Sequence, residues 1–251
     1  MSTSLANLVA VGRRIVSGIR HLVYPPICWA CGHLMDGEQG PVCASCLPRL
    51  TQDPFSTCPR CSSTVGPHLL LAEGCLTCAG APLAFDGAFR MAPYEGLLRE
   101  VILRMKAWTG EELTEAIAKL WAKQIAPRTA SLHPHVTIPV PLHWTRRWRR
   151  GFNPSEIMAL ALANELHIPC LTRVLQRNRR TPPQTAQPSG AARHRNVKNA
   201  FALRSDADLH DKTLLLVDDV LTTGATLSEA ACALRWLAPK AIHVVVLAHG
   251  K

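Results

Sequence analysis

The stretch from Leu214 to Thr226, Leu-Leu-Leu-Val-Asp-Asp-Val-Leu-Thr-Thr-Gly-Ala-Thr, constrains the fold more than any other in this 251-residue chain. Leu214 to Val217 is too short an apolar run for a core helix and suits a strand buried on both faces, as in a parallel sheet. Small and hydroxyl-bearing residues follow. Leu227, Ala230, Ala231, Leu234 and Leu237 then recur at helical spacing. Strand, tight loop and helix in that order aim backbone N–H groups and the positive end of a helix dipole at one point, an arrangement that binds phosphate. Adjacent carboxylates at the strand end, Asp218 and Asp219, repel each other unless a donor or a cation lies between them, and a ribose diol with hydrated Mg²⁺ supplies both. A Walker-type nucleotide site is excluded by the absence of G-x-x-x-x-G-K-[ST]. The plain alternative makes the two acids turn and cap residues.

The pattern from Ala81 onward alternates strands with helices. Strands are expected around Phe85 to Met91, Val136 to Val140, Arg173 to Leu175 and Ala241 to Ala248, besides the Leu214 strand. Helices are expected near Glu95 to Lys106, Glu111 to Gln124, Pro154 to Leu166 and Ala225 to Trp236. Alternation of this kind predicts an α/β domain with a mostly parallel sheet covered on both faces. Ligands of such sheets sit beyond the carboxyl ends of the strands, where both Pro141-Leu142-His143 and Thr222-Thr223-Gly224 fall.

Ahead of that domain lie eight of the ten cysteines, in four C-x-x-C pairs: Cys28/Cys31, Cys43/Cys46, Cys58/Cys61 and Cys75/Cys78. Each pair aims two thiolates at one point, and two pairs close a tetrahedral Cys₄ site of the structural zinc type. Two Zn²⁺ ions are therefore expected, with Gly32 and Gly80 easing the approach of backbone N–H groups to sulfur. Sequential pairing is favoured by the intervening linker Leu47 to Thr57; a cross-braced pairing stays open. Residues 25–80 are too polar and too short to hold a core without metal. Cys170 and Cys232 lack partners at ligand spacing and read as core thiols.

The net charge of +10 is concentrated. Between His143 and Arg204 stand twelve Lys/Arg against two acids, Glu156 and Glu165, so the whole excess sits in one block. Such a block attracts pyrophosphate, nucleotides or nucleic acid. Within it, Trp144 and Trp148 are four apart, and hydrophobic anchoring of a helix is favoured over base stacking. Residues 1–24 carry an amphipathic pattern that fits a docking helix, with Arg13, Arg14 and Arg20 interrupting any secretory core. No apolar run is long enough to cross a membrane, and a cytoplasmic protein is expected.

The Asp218-Asp219 segment resembles the 5-phosphoribosyl-1-pyrophosphate (PRPP) motif of type I phosphoribosyltransferases. Further segments narrow the resemblance: Tyr94 to Arg99 with Lys106, Pro139 to His143, Arg149 to Asn153, and Thr181 to Gln184 leading to Arg193 to Phe201. With the cysteine pairs, they are similar to the ComF family, which joins a zinc-ribbon module to a phosphoribosyltransferase-type domain. The resemblance implies a type I phosphoribosyltransferase-like parallel sheet over 81–251, an N-terminal double zinc ribbon over 25–80 and a docking helix over 1–24.

For the site, it implies Asp218 and Asp219 at the ribose hydroxyls and Thr222, Thr223, Gly224, Ala225 and Thr226 around the 5′-phosphate. Leu142 and His143 would form the pyrophosphate loop. Arg146, Arg147, Arg149 and Arg150 would contact pyrophosphate or nucleic acid, and Gln176 to Asn196 would close as a hood. Mg²⁺ would arrive with PRPP. Thr222 stands where 6-oxopurine transferases carry an acid that contacts the base, which argues against purine salvage. Two functions compete: a Mg²⁺-dependent phosphoribosyltransferase of unknown acceptor acting in DNA uptake, natural transformation or nucleotide-linked metabolism, and a single-stranded-DNA-binding competence adaptor without turnover. A helicase-like or recombination protein is the candidate protein partner.

Overall fold

The computed structural model describes residues 27–35, 40–66, 70–71, 74–178, 199–204 and 207–250. The expected docking helix, and the expected hood apart from its first residues, lie outside these. Two compact units divide the chain, Met1–Pro48 and Arg49–Lys251. In chain order the elements are α1 (Cys46–Thr51), β1 (Leu70–Leu71), β2 (Gly74–Cys75), β3 (Gly87–Pro93), α2 (Gly96–Met105), α3 (Glu111–Ala130) and β4 (Val136–Pro139). Then come α4 (Trp144–Arg150), α5 (Pro154–Leu166), β5 (Leu175–Arg177), β6 (Phe201–Leu203), β7 (Thr213–Leu221), α6 (Ala225–Arg235) and β8 (Ala241–His249).

The second unit is built on a four-stranded parallel sheet in the order β3-β8-β7-β4. Strand β7 lies next to the centre, and Thr213 to Val217 are all buried, as the apolar run requires. Alternation then splits the strands between two layers. Leu214, Leu216, Ile242, Val244 and Val246 pack with Leu227, Ala230, Ala231 and Leu234 of α6 in one core. On the sheet's other side, α3 and α5 pack on each other and against the strands. Trp121 of α3 is fully buried, its indole N–H donating to Val246 O at 3.0 Å, and Thr137 Oγ1 of β4 donates to Ala159 O of α5 at 3.1 Å.

Several elements depart from the sequence expectation, among them β3, which is shifted from Phe85–Met91 to Gly87–Pro93, and β6, where no strand was expected. Helix α3 runs past Gln124 to Ala130 and carries Pro127 within it. Its last turns are held by burial of Ile125, Ala126 and Thr129 and by Arg128 Nη1 donating to Arg90 O at 2.7 Å. Helix α4 forms at the helical spacing of Trp144 and Trp148 but buries none of its residues. It is capped by His143, whose Nδ1 accepts from Thr145 N at 3.3 Å. The strand expected at Arg173 to Leu175 lies at Leu175–Arg177, displaced because its register is set by antiparallel pairing with β6.

Within the second unit, the second pair of C-x-x-C turns is tied to the sheet. Arg90 of β3 is buried, its Nε 2.7 Å from Asp53 Oδ2, and its Nη2 donates to Thr64 Oγ1 at 2.7 Å. Ala88 N donates to Pro59 O at 3.0 Å. Ser63 Oγ meets His249 Nε2 at 3.3 Å, and burial, with the Arg90 charge, pushes that imidazole down to about 4, so it is neutral at pH 7.

Candidate active site and metal centres

Parallel register brings two loops to one edge of the sheet. Pro139 pairs with Val217 and Val140 N donates to Val217 O at 2.9 Å, so the chain leaving β4 through Pro141, Leu142 and His143 emerges beside the end of β7, where Asp218 and Asp219 stand. Asn153 then holds the next corner. Its Nδ2 donates to Val140 O at 3.1 Å, and its Oδ1 caps α5 by accepting from Ser155 N at 3.3 Å. With Pro154 in the first turn, this cap fixes the start of α5 at the residue expected from sequence.

That corner delivers Ser155 to the acidic pair. Ser155 Oγ donates to Asp218 Oδ1 at 2.8 Å, and the same oxygen accepts from Asp219 N at 2.9 Å. Asp219 Oδ2 lies 3.0 Å from Lys106 Nζ, which extends from the C-terminal cap of α2. Burial, and the charge of Asp219, push the Asp218 carboxyl up to about 7 against the pull of these donors. For Lys106, burial acts downward but the two carboxylates prevail, and its pKa is raised. Arg150 and Arg177 also lie within electrostatic reach of Asp218; burial lowers both, and Arg146 adds to the lowering in each case. The site therefore holds two acids among at least three cations. Such a balance accommodates a polyanion that also offers hydroxyl donors.

The loop after β7 has the other half of the expected chemistry. Gly224 takes φ +75°, so the turn favours glycine for its backbone, while a Cβ there would meet only the end of the Leu83 side chain, which can shift. Ser228 ties the first turn of α6 in place, its Oγ donating to Pro82 O at 2.7 Å and accepting from Ala84 N at 2.8 Å. Thr223 Oγ1 is buried with no hydrogen-bond partner among the described residues. A hydroxyl left in that state next to a helix N-terminus suits a ligand oxygen.

The four arginines of α4 do not act as one block. Arg146 and Arg150, one turn apart, are half-buried, Arg150 within electrostatic reach of both acids, whereas Arg147 and Arg149 are exposed. The tryptophans, expected as packing anchors, are instead open: Trp144 is 70% and Trp148 86% exposed. A seven-residue helix with no buried residue has no core-facing side on which to anchor them. The core-thiol expectation also fails for Cys232, which is exposed on α6 because the helix buries Leu227, Ala230, Ala231 and Leu234 instead.

The eight remaining cysteines gather as Cys28/Cys31/Cys43/Cys46 in the first unit and Cys58/Cys61/Cys75/Cys78 in the second, each set with its four sulfurs within 4.8 Å of one another. This is the sequential grouping. Sulfur separations of 3.8 Å for Cys31–Cys43, 3.8 Å for Cys58–Cys78 and 3.6 Å for Cys61–Cys75 are far beyond a disulfide. They match the edge of about 3.8 Å of a tetrahedron with metal–sulfur bonds of about 2.3 Å. Both donor sets thus fit Zn²⁺. The turns repeat in detail: Cys28 N donates to His33 O at 2.8 Å and Cys58 N to Ser63 O at 2.9 Å. Without a cation among them the four thiols of a set are driven apart: Cys43 is lowered to about 6, first through the Ser45 hydroxyl, while burial raises Cys46 to about 12.

The phosphoribosyl transferase domain family matches residues 149–251. DNA utilization protein YhgH of Shigella flexneri is 32% identical over 214 residues, covering 84% of this chain and 91% of that protein. Competence protein F of Haemophilus influenzae is 33% identical over 221 residues, 86% of this chain and 93% of its own. The chain belongs to the ComF family. Competence protein ComFC of Bacillus subtilis is a more distant relative, 24% identical over 192 residues and 76% of each chain.

In this ComF-family protein two members of the site carry little signal in the sequence. Lys106 falls within a segment that resembles the family, but nothing in its spacing tells that it pairs with Asp219. Ser155 carries a faint signal, since Asn153-Pro154 marks a helix start and residues of a first turn can face a strand end. No described helix is long and apolar enough to cross a membrane.

Proposed function

We propose that this protein binds PRPP with Mg²⁺ at the carboxyl end of β7 and acts as a phosphoribosyltransferase-type domain in the cytoplasm. The observation that carries the reading is the juxtaposition of the acid pair with the Thr222–Thr226 turn, whose Thr223 hydroxyl is buried and has no partner among the described residues. Asp218 and Asp219 accept from the ribose hydroxyls, and the backbone N–H groups from Thr222 to Thr226 surround the 5′-phosphate. Leu142 and His143, with Arg146 and Arg150, face the pyrophosphate. Mg²⁺ arriving with PRPP would be held beside Asp218 and Asp219 and would supply charge neutralisation to the pyrophosphate. The chain's own cations do the same from fixed positions, which lowers the cost of developing charge. Eight thiols at metal spacing suit a reducing compartment. The names of the relatives, DNA utilization and competence, support a role in handling DNA or its nucleotides.

Isothermal titration with PRPP and Mg²⁺ tests the reading. One site is expected in the wild type, and Asp218→Asn with Asp219→Asn should weaken it at least tenfold, about 1.4 kcal/mol or more, by exchanging ionised acceptors for neutral amides. Absence of binding, or equal affinity in the variant, overturns it.

A further inference from the structure

We infer that the acceptor of this site is a planar nitrogen heterocycle bearing a carboxylate, held with its ring against Tyr94 and its anionic group on Lys106. The assignment rests on the PRPP reading above and names the substrate class that reading leaves open. Displacement at the ribose C1 needs the acceptor on the side away from the departing pyrophosphate, with the reacting atoms aligned. The order of the strands gives that side. Leu142 and His143 leave β4 on one flank of β7, so the acceptor comes from the other flank, over the ends of β8 and β3.

Tyr94, Gly250 and Thr222 leave the sheet side by side on that flank. Pro93, His249 and Leu221 stand in one register row, Tyr94 N donates to His249 O at 2.8 Å and Gly250 N donates to Leu221 O at 2.9 Å. A Cβ at Gly250 would lie 3.2 Å from both Cβ and Cδ1 of Tyr94, so the half-buried phenol ring lies along the end of β8 in the space a side chain would take. Lys106 closes the corner. Tyr94 stands within electrostatic reach of its ammonium, which meets Asp219 Oδ2 at 3.0 Å through one of its three donors, and 30% of the lysine side chain stays open. An aromatic face beside a cation with donors to spare suits an aromatic anion. Thr222 brings no charge to this flank, whereas an acid in its place would repel a carboxylate. A neutral heterocycle would gain the ring and leave the ammonium unanswered. In the transfer, the lone pair of the ring nitrogen forms the bond to C1 as the C1–O bond breaks and its electron pair leaves with pyrophosphate; a proton carried by that nitrogen passes to water.

The test is a two-step calorimetric titration of the full chain. PRPP and Mg²⁺ are added first, and the loaded protein then receives nicotinate or its neutral twin nicotinamide, and in parallel orotate or its neutral twin uracil. In at least one pair the anion should bind about tenfold or more tightly than its twin, or release pyrophosphate where the twin does not. Lys106→Gln should bring that ratio within about threefold, whatever it does to PRPP affinity, because both twins are compared on the same loaded protein. Tyr94→Leu should weaken both members of the pair about fivefold, and Tyr94→Phe, which keeps the ring, should stay within about twofold of the wild type. A neutral twin bound as tightly as its anion in both pairs overturns the inference, as does failure of both anions to bind protein that holds PRPP. So does a preference for the anion that survives Lys106→Gln. Failure of PRPP itself to bind shows in the first step; it overturns the PRPP reading and this assignment with it.

Discussion

Ser155 Oγ donates to Asp218 Oδ1 at 2.8 Å across 63 residues of sequence, joining the first turn of α5 to the end of β7. The hydroxyl favours the charged form of a carboxyl that burial pushes the other way. Ser155→Ala should therefore raise the Asp218 pKa further and destabilise the fold by about 1–3 kcal/mol at pH 8, where the carboxylate is ionised. The loss should be smaller at pH 5. Urea denaturation at the two pH values measures it, and an equal loss at both would mean that the hydroxyl does not discriminate between charge states.

Asp218 also predicts the pH dependence of stability. Its folded pKa of about 7 lies above the ordinary 3.8, so between those values the folded state holds a proton that the unfolded state has released. The contribution of this group to stability is therefore largest below about pH 4, falls as pH rises toward 7 and levels off above it. Asp218→Asn removes the slope. Denaturant midpoints from pH 5 to 8 should decline in the wild type relative to the variant; parallel curves would contradict the raised pKa.

Ser62 occupies the left-handed region at φ +61° in the second C-x-x-C turn, and its Oγ is buried with no hydrogen-bond partner among the described residues. Gly32 fills the matching place in the first turn at φ +78°. Ser62→Gly should thus stabilise the second unit by about 1–2 kcal/mol, by relieving backbone strain and deleting a desolvated hydroxyl. A rise in melting temperature of the zinc-loaded protein checks this, and a fall would show that the hydroxyl has a partner in solution.

The two metal centres should release zinc at different rates. All four cysteines of the Cys58 set are buried, whereas Cys31 is exposed and Cys43 half-exposed in the Cys28 set. Purified protein should contain about two zinc ions per chain. A chromogenic chelator should remove them in two phases, the first of which Cys31→Ser abolishes. A single phase releasing both ions would show that exposure of the ligands does not set their lability.

Local and periodic features are legible in the chain alone. The apolar run Leu214 to Val217 requires a strand covered on both faces, and β7 is such a strand. The helix over Pro154–Leu166 is legible to the residue, because Asn153-Pro154 is a self-contained start signal. The C-x-x-C spacing makes two four-thiolate groups legible, since both thiolates of a pair are set by one turn of chain. The convergence of groups from distant segments, by contrast, depends on how the elements pack. Lys106 meets Asp219 because α2 ends beside β7, and Ser155 meets Asp218 because the register of β4 on β7 sets the corner that Asn153 caps. Likewise, the split of the α4 arginines between half-buried Arg146 and Arg150 and exposed Arg147 and Arg149, and the exposure of Trp144 and Trp148, depend on how a helix announced only by the spacing of those two tryptophans is oriented. Its seven residues contribute nothing to the core, so the tryptophan spacing tells of a helix but not of which face it covers; its orientation follows from the His143 cap and from the end of the strand that precedes it.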